Sequence, residues 1–154
     1  MAESETEIKL VAMNGTAHWC LREDRWSWPE PPDMSFIFSI LGRPIGCVRI
    51  FARTLWTRKD KTSITILPSI GLGGIYVVSD MRGKGYGTLM VERVVDRLKG
   101  QDIRMLILKS RDRTIYDRCG FVKIKNSWVW VRQLDGEKIN FSNVDWGMSP
   151  SWHF

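Results

Sequence analysis

The stretch Arg82-Gly83-Lys84-Gly85-Tyr86-Gly87 holds residue types that can do chemistry without help from a metal. It follows an apolar run and precedes a segment of helical periodicity. A helix start leaves its first N–H groups without intrahelical acceptors. The aligned peptide dipoles add roughly half a positive charge there. Glycines permit positive φ and let a ligand approach the backbone closely. Such a turn attracts an anion, phosphate above all, and Arg82 and Lys84 add full charges beside it. Two familiar phosphate loops do not fit. The pattern GxxxxGK[ST] is absent, and Gly83, Gly85 and Gly87 are spaced by two where a dinucleotide fingerprint reads GxGxxG. Taken alone, the glycines suit a tight helix start as well as they suit an anion site.

The neighbouring elements must hold this turn. Residues 70–78, Ile-Gly-Leu-Gly-Gly-Ile-Tyr-Val-Val, read as a buried strand whose glycines mark a bulge or a close backbone approach. Residues 88–99 read as a helix, with Met90, Val91, Val94, Val95 and Leu98 on one face and Glu92, Arg93, Asp96 and Arg97 on the other. Gly100 supplies its stop. Upstream, strands are expected at residues 7–13, 34–41, 45–56 and 62–67, the last ending before Pro68. Gly42-Arg43-Pro44 should form one turn and residues 58–61 another. Asn14 is the expected N-cap of a helix over 17–26, and the proline-rich residues 28–33 form a loop. Downstream follow a strand at 103–108, a helix at 111–119, and closing strands at 121–124 and 128–134. This order makes an α/β (α+β) chain with a mixed sheet.

The turn resembles the cofactor signature [RQ]-x-x-G-x-[GA] of the GNAT superfamily of N-acetyltransferases, through Arg82, Gly85 and Gly87. A second segment, Tyr116-Asp117-Arg118-Cys119-Gly120-Phe121, is similar to the family's Tyr-Glu-Lys-Leu-Gly-Phe helix end. Two ordered motifs with a strand between them are more specific than either alone. The match is clear over about residues 70–125, rests on element order upstream, and stops at Leu134. The resemblance implies a splayed central sheet of about seven strands with flanking helices. It implies acetyl-CoA, or another acyl-CoA, as acyl donor, and no metal. Backbone N–H groups of Gly83, Lys84, Gly85, Tyr86 and Gly87, beside Arg82, would bind the pyrophosphate. The backbone of Val77 and Val78 would pair with the pantetheine arm. Ser110 stands where the family often has asparagine and keeps a short polar group at the cofactor. Asp112 replaces a small residue. Tyr116 would protonate the departing thiolate.

Acyl transfer to an amine also needs a base. Many family members carry a glutamate on the strand before the loop, but residues 70–78 hold no carboxylate. Tyr76 or a strand-held water could substitute. His18, Glu23, Asp24 and Glu30 lie in the region expected to shape the acceptor pocket, and His153 and the terminal carboxylate could reach back.

The chain as a whole sets limits. Its 154 residues suit one domain, with residues 135–154 as a tail packed on it. No apolar run approaches the ~20 residues that span a bilayer. The acidic N-terminus does not read as a secretory signal, and the expectation is a cytoplasmic protein. Cys20, Cys47 and Cys119 form neither a disulfide framework nor a zinc motif and read as small core residues. The net charge of +6 fits an anionic partner. The basic residues are scattered, so a cationic surface is favoured over a nucleic-acid site. The 8 tryptophans read as core or interface area rather than base-stacking platforms. Trp128 and Trp130 on one face of the closing strand suggest a homodimer contact or, equally, a tail buried against them. Three functions stay open: an N-acyltransferase acting on a primary amine of a small molecule or protein, a nucleic-acid-modifying enzyme of the same fold, and a non-catalytic acyl-CoA-binding module.

Overall fold

The computed structural model describes residues 8–14, 34–60, 62–111 and 114–149. They fall into two compact bodies: Met1–Phe51 with Leu72–Arg97, and Ala52–Gly71 with Leu98–His153. The expected helix over 17–26, the loop over 28–33, and His18, Glu23, Asp24, Glu30 and His153 lie outside the described residues.

In the first body, strand β1 (Ile8–Asn14) pairs antiparallel with β2 (Met34–Ile40), and β2 pairs antiparallel with β3 (Arg43–Arg58). Asn14 closes β1 opposite Met34. The β2–β3 turn is two residues, Leu41 (φ 52) and Gly42 (φ 77). Positive φ at both turn positions matches the twist of a tight hairpin. Arg43 and Pro44, expected in the turn, therefore already belong to β3. Register shifts between Phe38 and Ser39, leaving Ile45 as the extra residue of a bulge on β3. Strand β4 (Ile64–Val77) ends in this body, and helix α1 (Tyr86–Leu98) follows. The expected apolar face of α1 is buried, with Met90, Val91, Val94 and Val95 at most 1% exposed. At its other end the Arg97 guanidinium donates to Leu10 O (3.3 Å) and lies over the Phe36 ring. Strand β3 comes close to α1 at Gly46, where a Cβ would sit 2.7 Å from Met90 Sδ and 2.8 Å from Tyr76 O.

In the second body, β4 pairs parallel with β5 (Met105–Lys109), from Ser69–Met105 to Gly71–Ile107. Helix α2 (Thr114–Arg118), β6 (Val122–Lys123) and β7 (Val129–Gln133) follow, and β7 pairs antiparallel with both β5 and β6. One continuous β4 replaces the two strands expected on either side of Pro68. Pro68 O accepts the Arg104 N–H (2.8 Å) at the start of the β4–β5 ladder, so the missing proline N–H falls before that ladder begins. The tail supplies a strand that periodicity does not reveal: β8 (Asp145–Ser149) pairs antiparallel with Thr54–Arg58 of β3. Gly147 lets it approach, since a Cβ there would lie 2.4 Å from the Trp56 ring. Trp130 is buried at 2% exposure, whereas Trp128 lies outside β7 at 52%. These two tryptophans thus form no shared exposed face. Cys119 is a buried free thiol. Cys47 is buried in the core at 3% exposure, as a small core residue should be.

Together the strands make a mixed sheet. It is parallel at β4–β5 and antiparallel at β1–β2, β2–β3, β3–β8, β5–β7 and β6–β7, with few helices among the described residues.

Candidate functional site

The glycine turn is built from the end of β4 outward. Val78, 6% exposed, donates its N–H to Ile45 O (2.8 Å). The bulge on β3 thereby pins the point where β4 stops. Val78 O accepts from Met81 N (3.0 Å), which closes a single 3-10 turn over Ser79–Met81. Arg82 then folds back. Its Nε donates to Val77 O (2.7 Å), and its guanidinium lies 5.0 Å from the centre of the Tyr76 ring. Arg82 thus fastens the loop to the strand it leaves, a role the motif alone does not disclose. Both backbone groups of Val78 are engaged within the protein, and Val77 O is engaged by Arg82. Along β4 these groups alternate in direction, so Val77 and Val78 face opposite sides.

A second clamp was not legible in the sequence. Arg43 Nη2 donates to both Asp80 oxygens, at 2.9 and 2.8 Å, across 37 positions of chain. These hydrogen bonds hold the Asp80 carboxyl below its ordinary value; slight desolvation opposes them, and the charges of Arg43 and Lys84 reinforce them. The pair is exposed, so its effect is to fix the loop's entry rather than to stabilise the fold strongly.

Beyond Arg82 the backbone opens. Gly83 (φ 76) and Gly85 (φ 85) take left-handed conformations, and a Cβ on either would meet nothing within 4 Å. The first helical bond is Leu89 N to Gly85 O (3.1 Å). Helix α1 starts two residues earlier than its periodicity implies, so Tyr86 and Gly87 form its first turn. None of the N–H groups of Gly83, Lys84, Gly85, Tyr86 and Gly87 has an acceptor among the described residues. The first turn carries no carboxylate that would neutralise the dipole. These are consecutive donors with open space at the Cβ positions of Gly83 and Gly85, beside the charges of Arg82 and Lys84. The arrangement fits an anion such as a pyrophosphate. No group of three or more potential metal ligands occurs among the described residues.

Ser110 and Tyr116 belong to the second body. Ser110 donates its N–H to Trp128 O (2.9 Å) and accepts the Trp130 indole N–H at its own carbonyl (3.1 Å). Tyr116 is buried at 8% exposure between Phe121 and Trp130, its ring centroid 6.1 Å from each. Its carbonyl accepts from Phe121 N (3.0 Å) and Cys119 N (3.1 Å), so the motif's Gly-Phe end folds back on the tyrosine. Gly120 (φ 79) makes that reversal.

The mixed sheet thus leads, at the end of β4, into an anion-type cradle at a helix start. The sequence matches the model of the Acetyltransferase (GNAT) family over residues 6–121. The chain belongs to that family. None of the curated proteins matches the sequence. Among solved structures, a GNAT family acetyltransferase from Brucella melitensis in complex with acetyl-CoA is 13% identical, with a TM-score of 0.55 over 85% of this chain and 92% of that one. A GNAT family N-acetyltransferase from Escherichia coli in complex with CoA is 19% identical, with a TM-score of 0.52 over 75% and 63%. At these identities the likeness shows the fold. A GCN5-related N-acetyltransferase from Kribbella flavida, 21% identical with a TM-score of 0.49 over 56% of this chain, is much longer, and the chain spans 21% of its length. No helix among the described residues is long and apolar enough to cross a membrane.

Proposed function

We propose that the protein is an acyl-CoA-dependent N-acyltransferase that moves an acetyl group from acetyl-CoA to a primary amine. The observation that carries the reading is the run of N–H groups from Gly83 to Gly87, at the start of α1, without acceptors among the described residues. Two phosphates bring several negative charges, and hydrogen bonds to charged groups contribute about 1.5–3 kcal/mol each. Arg82 and Lys84 add attraction at longer range. Along β4, Val77 offers its N–H on the side opposite the Val78–Ile45 bond, its carbonyl being held by Arg82, and the pantetheine arm pairs there. The acyl thioester supplies an activated carbonyl when bound. Tyr116 Oη delivers the proton that the leaving sulfur takes up, and Ser110 contributes a polar contact to the cofactor.

The acceptor must arrive as a free amine. A lysine-like amine has a pKa of ~10.4, so about one molecule in 10³ is neutral at pH 7. Residues 70–78 carry no carboxylate, so a water or Tyr76 is one route for the proton, beside His18, Glu23, Asp24, Glu30, His153 and the terminal carboxylate. The Tyr76 ring packs on Ile37 and Cys47 beneath Arg82. The acceptor is a small molecule or a protein amine.

Thermal denaturation with acetyl-CoA, CoA and NADH tests the reading. At a hundred times Kd a ligand adds about 2.7 kcal/mol, or roughly 5–10 °C in Tm for a chain of this size. Both CoA species should raise Tm and NADH should not. No rise with either CoA species would overturn the proposal.

A further inference from the structure

The second body carries a groove that the acyl-transfer reading does not use. It runs between β6 and residues 134–142, with a volume of about 840 Å³. Met105 and Val131, both buried, contribute apolar floor. Lys123, Lys125 and Lys138 stand along it against a single carboxylate, Asp135. That volume lies near the top of the roughly 300–1,000 Å³ range of drug-sized sites, enough for a short run of chain.

One wall is a sheet edge. The order within this body runs β5-β7-β6, so among the described residues β6 has a strand neighbour on one side. Ile124 N–H donates to Val129 O (2.8 Å), toward β7. Backbone groups alternate in direction along a strand, so the N–H and C=O of Lys123 point away from β7. Val122, 67% exposed, adds an uncovered apolar side chain beside them. A donor–acceptor pair on an edge next to an apolar contact is what strand addition uses. Lysine on an edge strand repels neutral and cationic strands, which would have to desolvate or oppose its charge. The same charge admits an acidic strand. The opposite wall is held open: Gln133 Nε2 donates to Asp135 O (3.1 Å), Gln133 Oε1 accepts from Ile139 N (3.1 Å), and a Cβ at Gly136 would collide with the Arg104 guanidinium, which packs against it.

We propose that this groove docks an extended acidic segment of a partner protein, which adds to the edge of β6. Main-chain bonds at Lys123 give the register, Val122 takes an apolar side chain, and the lysines select carboxylates.

The test uses the full chain and a short dye-labelled peptide of alternating Glu and Val, followed by fluorescence anisotropy at ~0.15 M salt. The acidic peptide should bind, and the same peptide with Lys for Glu should not. Backbone N-methylation at alternate positions should abolish binding with charge unchanged. The double reversal K123E/K138E should weaken the acidic peptide by about tenfold or more, while its Tm rise with CoA stays as in the unmodified chain. Absent binding of the acidic peptide, equal binding to K123E/K138E, or equal binding of the N-methylated peptide would each overturn the proposal. So would a single-stranded oligonucleotide that displaces the peptide and itself loses affinity on K123E/K138E, since the groove would then serve nucleic acid.

Discussion

Replacing Gly85 by valine separates the anion cradle from a mere helix start. Gly85 holds φ 85, where an L-residue is strained, yet its Cβ would meet no protein atom within 4 Å. The cost to the fold is therefore backbone strain alone, about 1–3 kcal/mol. For a chain of this size that lowers Tm by roughly 2–12 °C. The added isopropyl group enters the open space in front of the unpartnered N–H groups. Losing even one hydrogen bond to a phosphate costs about 1.5–3 kcal/mol, or roughly 10- to 100-fold in affinity. Gly100→Ala is the control: Gly100 closes α1 with φ 78 and equally open space, so it shares the strain without touching the cradle. Calorimetric titration with CoA should show weak binding by folded Gly85→Val and full binding by Gly100→Ala. Gly85→Ala should fall between, because it carries the strain with a smaller side chain. If folded Gly85→Val binds CoA as tightly as the unmodified protein, the loop does not hold the pyrophosphate.

Tyr116→Phe should lower the acyl-transfer rate by about 10²- to 10⁴-fold with little change in CoA affinity. Steady-state kinetics beside a CoA titration check this, and an unchanged rate would remove Tyr116 from the chemistry. Gly46→Ala should destabilise by about 1–3 kcal/mol through overpacking, because its Cβ would press on Met90 Sδ and on the less yielding Tyr76 carbonyl; chemical denaturation measures it. Asp80 titrates below its ordinary 3.8 because Arg43 hydrogen-bonds the charged form. A depressed carboxylate contributes stability that is present above 3.8 and lost as pH falls through the folded value. NMR titration should place Asp80 below 3.8 in the unmodified chain and higher in Arg43→Ala; the same midpoint in both would refute the cause.

Much of the fold was legible because its signals are local. The period of residues 88–99 marks a buried helical face, and α1 has it. Its start was displaced because Tyr86 and Gly87 carry no apolar periodicity, although their backbone is helical. The glycines at 83 and 85 were readable as positions that need positive φ, and both adopt it. Two motifs at the right separation pointed to the family, and the family model covers residues 6–121. Other features depend on partners far away in sequence. Strand β8 takes shape only against β3, with Arg58 and Asp145 bridged across 87 positions. Pro68 reads as a breaker until the ladder shows that its N–H is not needed there. The Arg43–Asp80 clamp and the Ile45–Val78 bond join segments that share no local pattern.

The sequence by itself narrowed the class of chemistry: glycines at fixed offsets, a helix start and two cationic side chains suit an anion. Tertiary structure decided which groups that site keeps open. Hydrogen bonds saturate, so Val78 is occupied because β3 bulges at Ile45, and Val77 O is occupied because Arg82 turns back. The N–H groups from Gly83 to Gly87 stay without acceptors because nothing among the described residues reaches them.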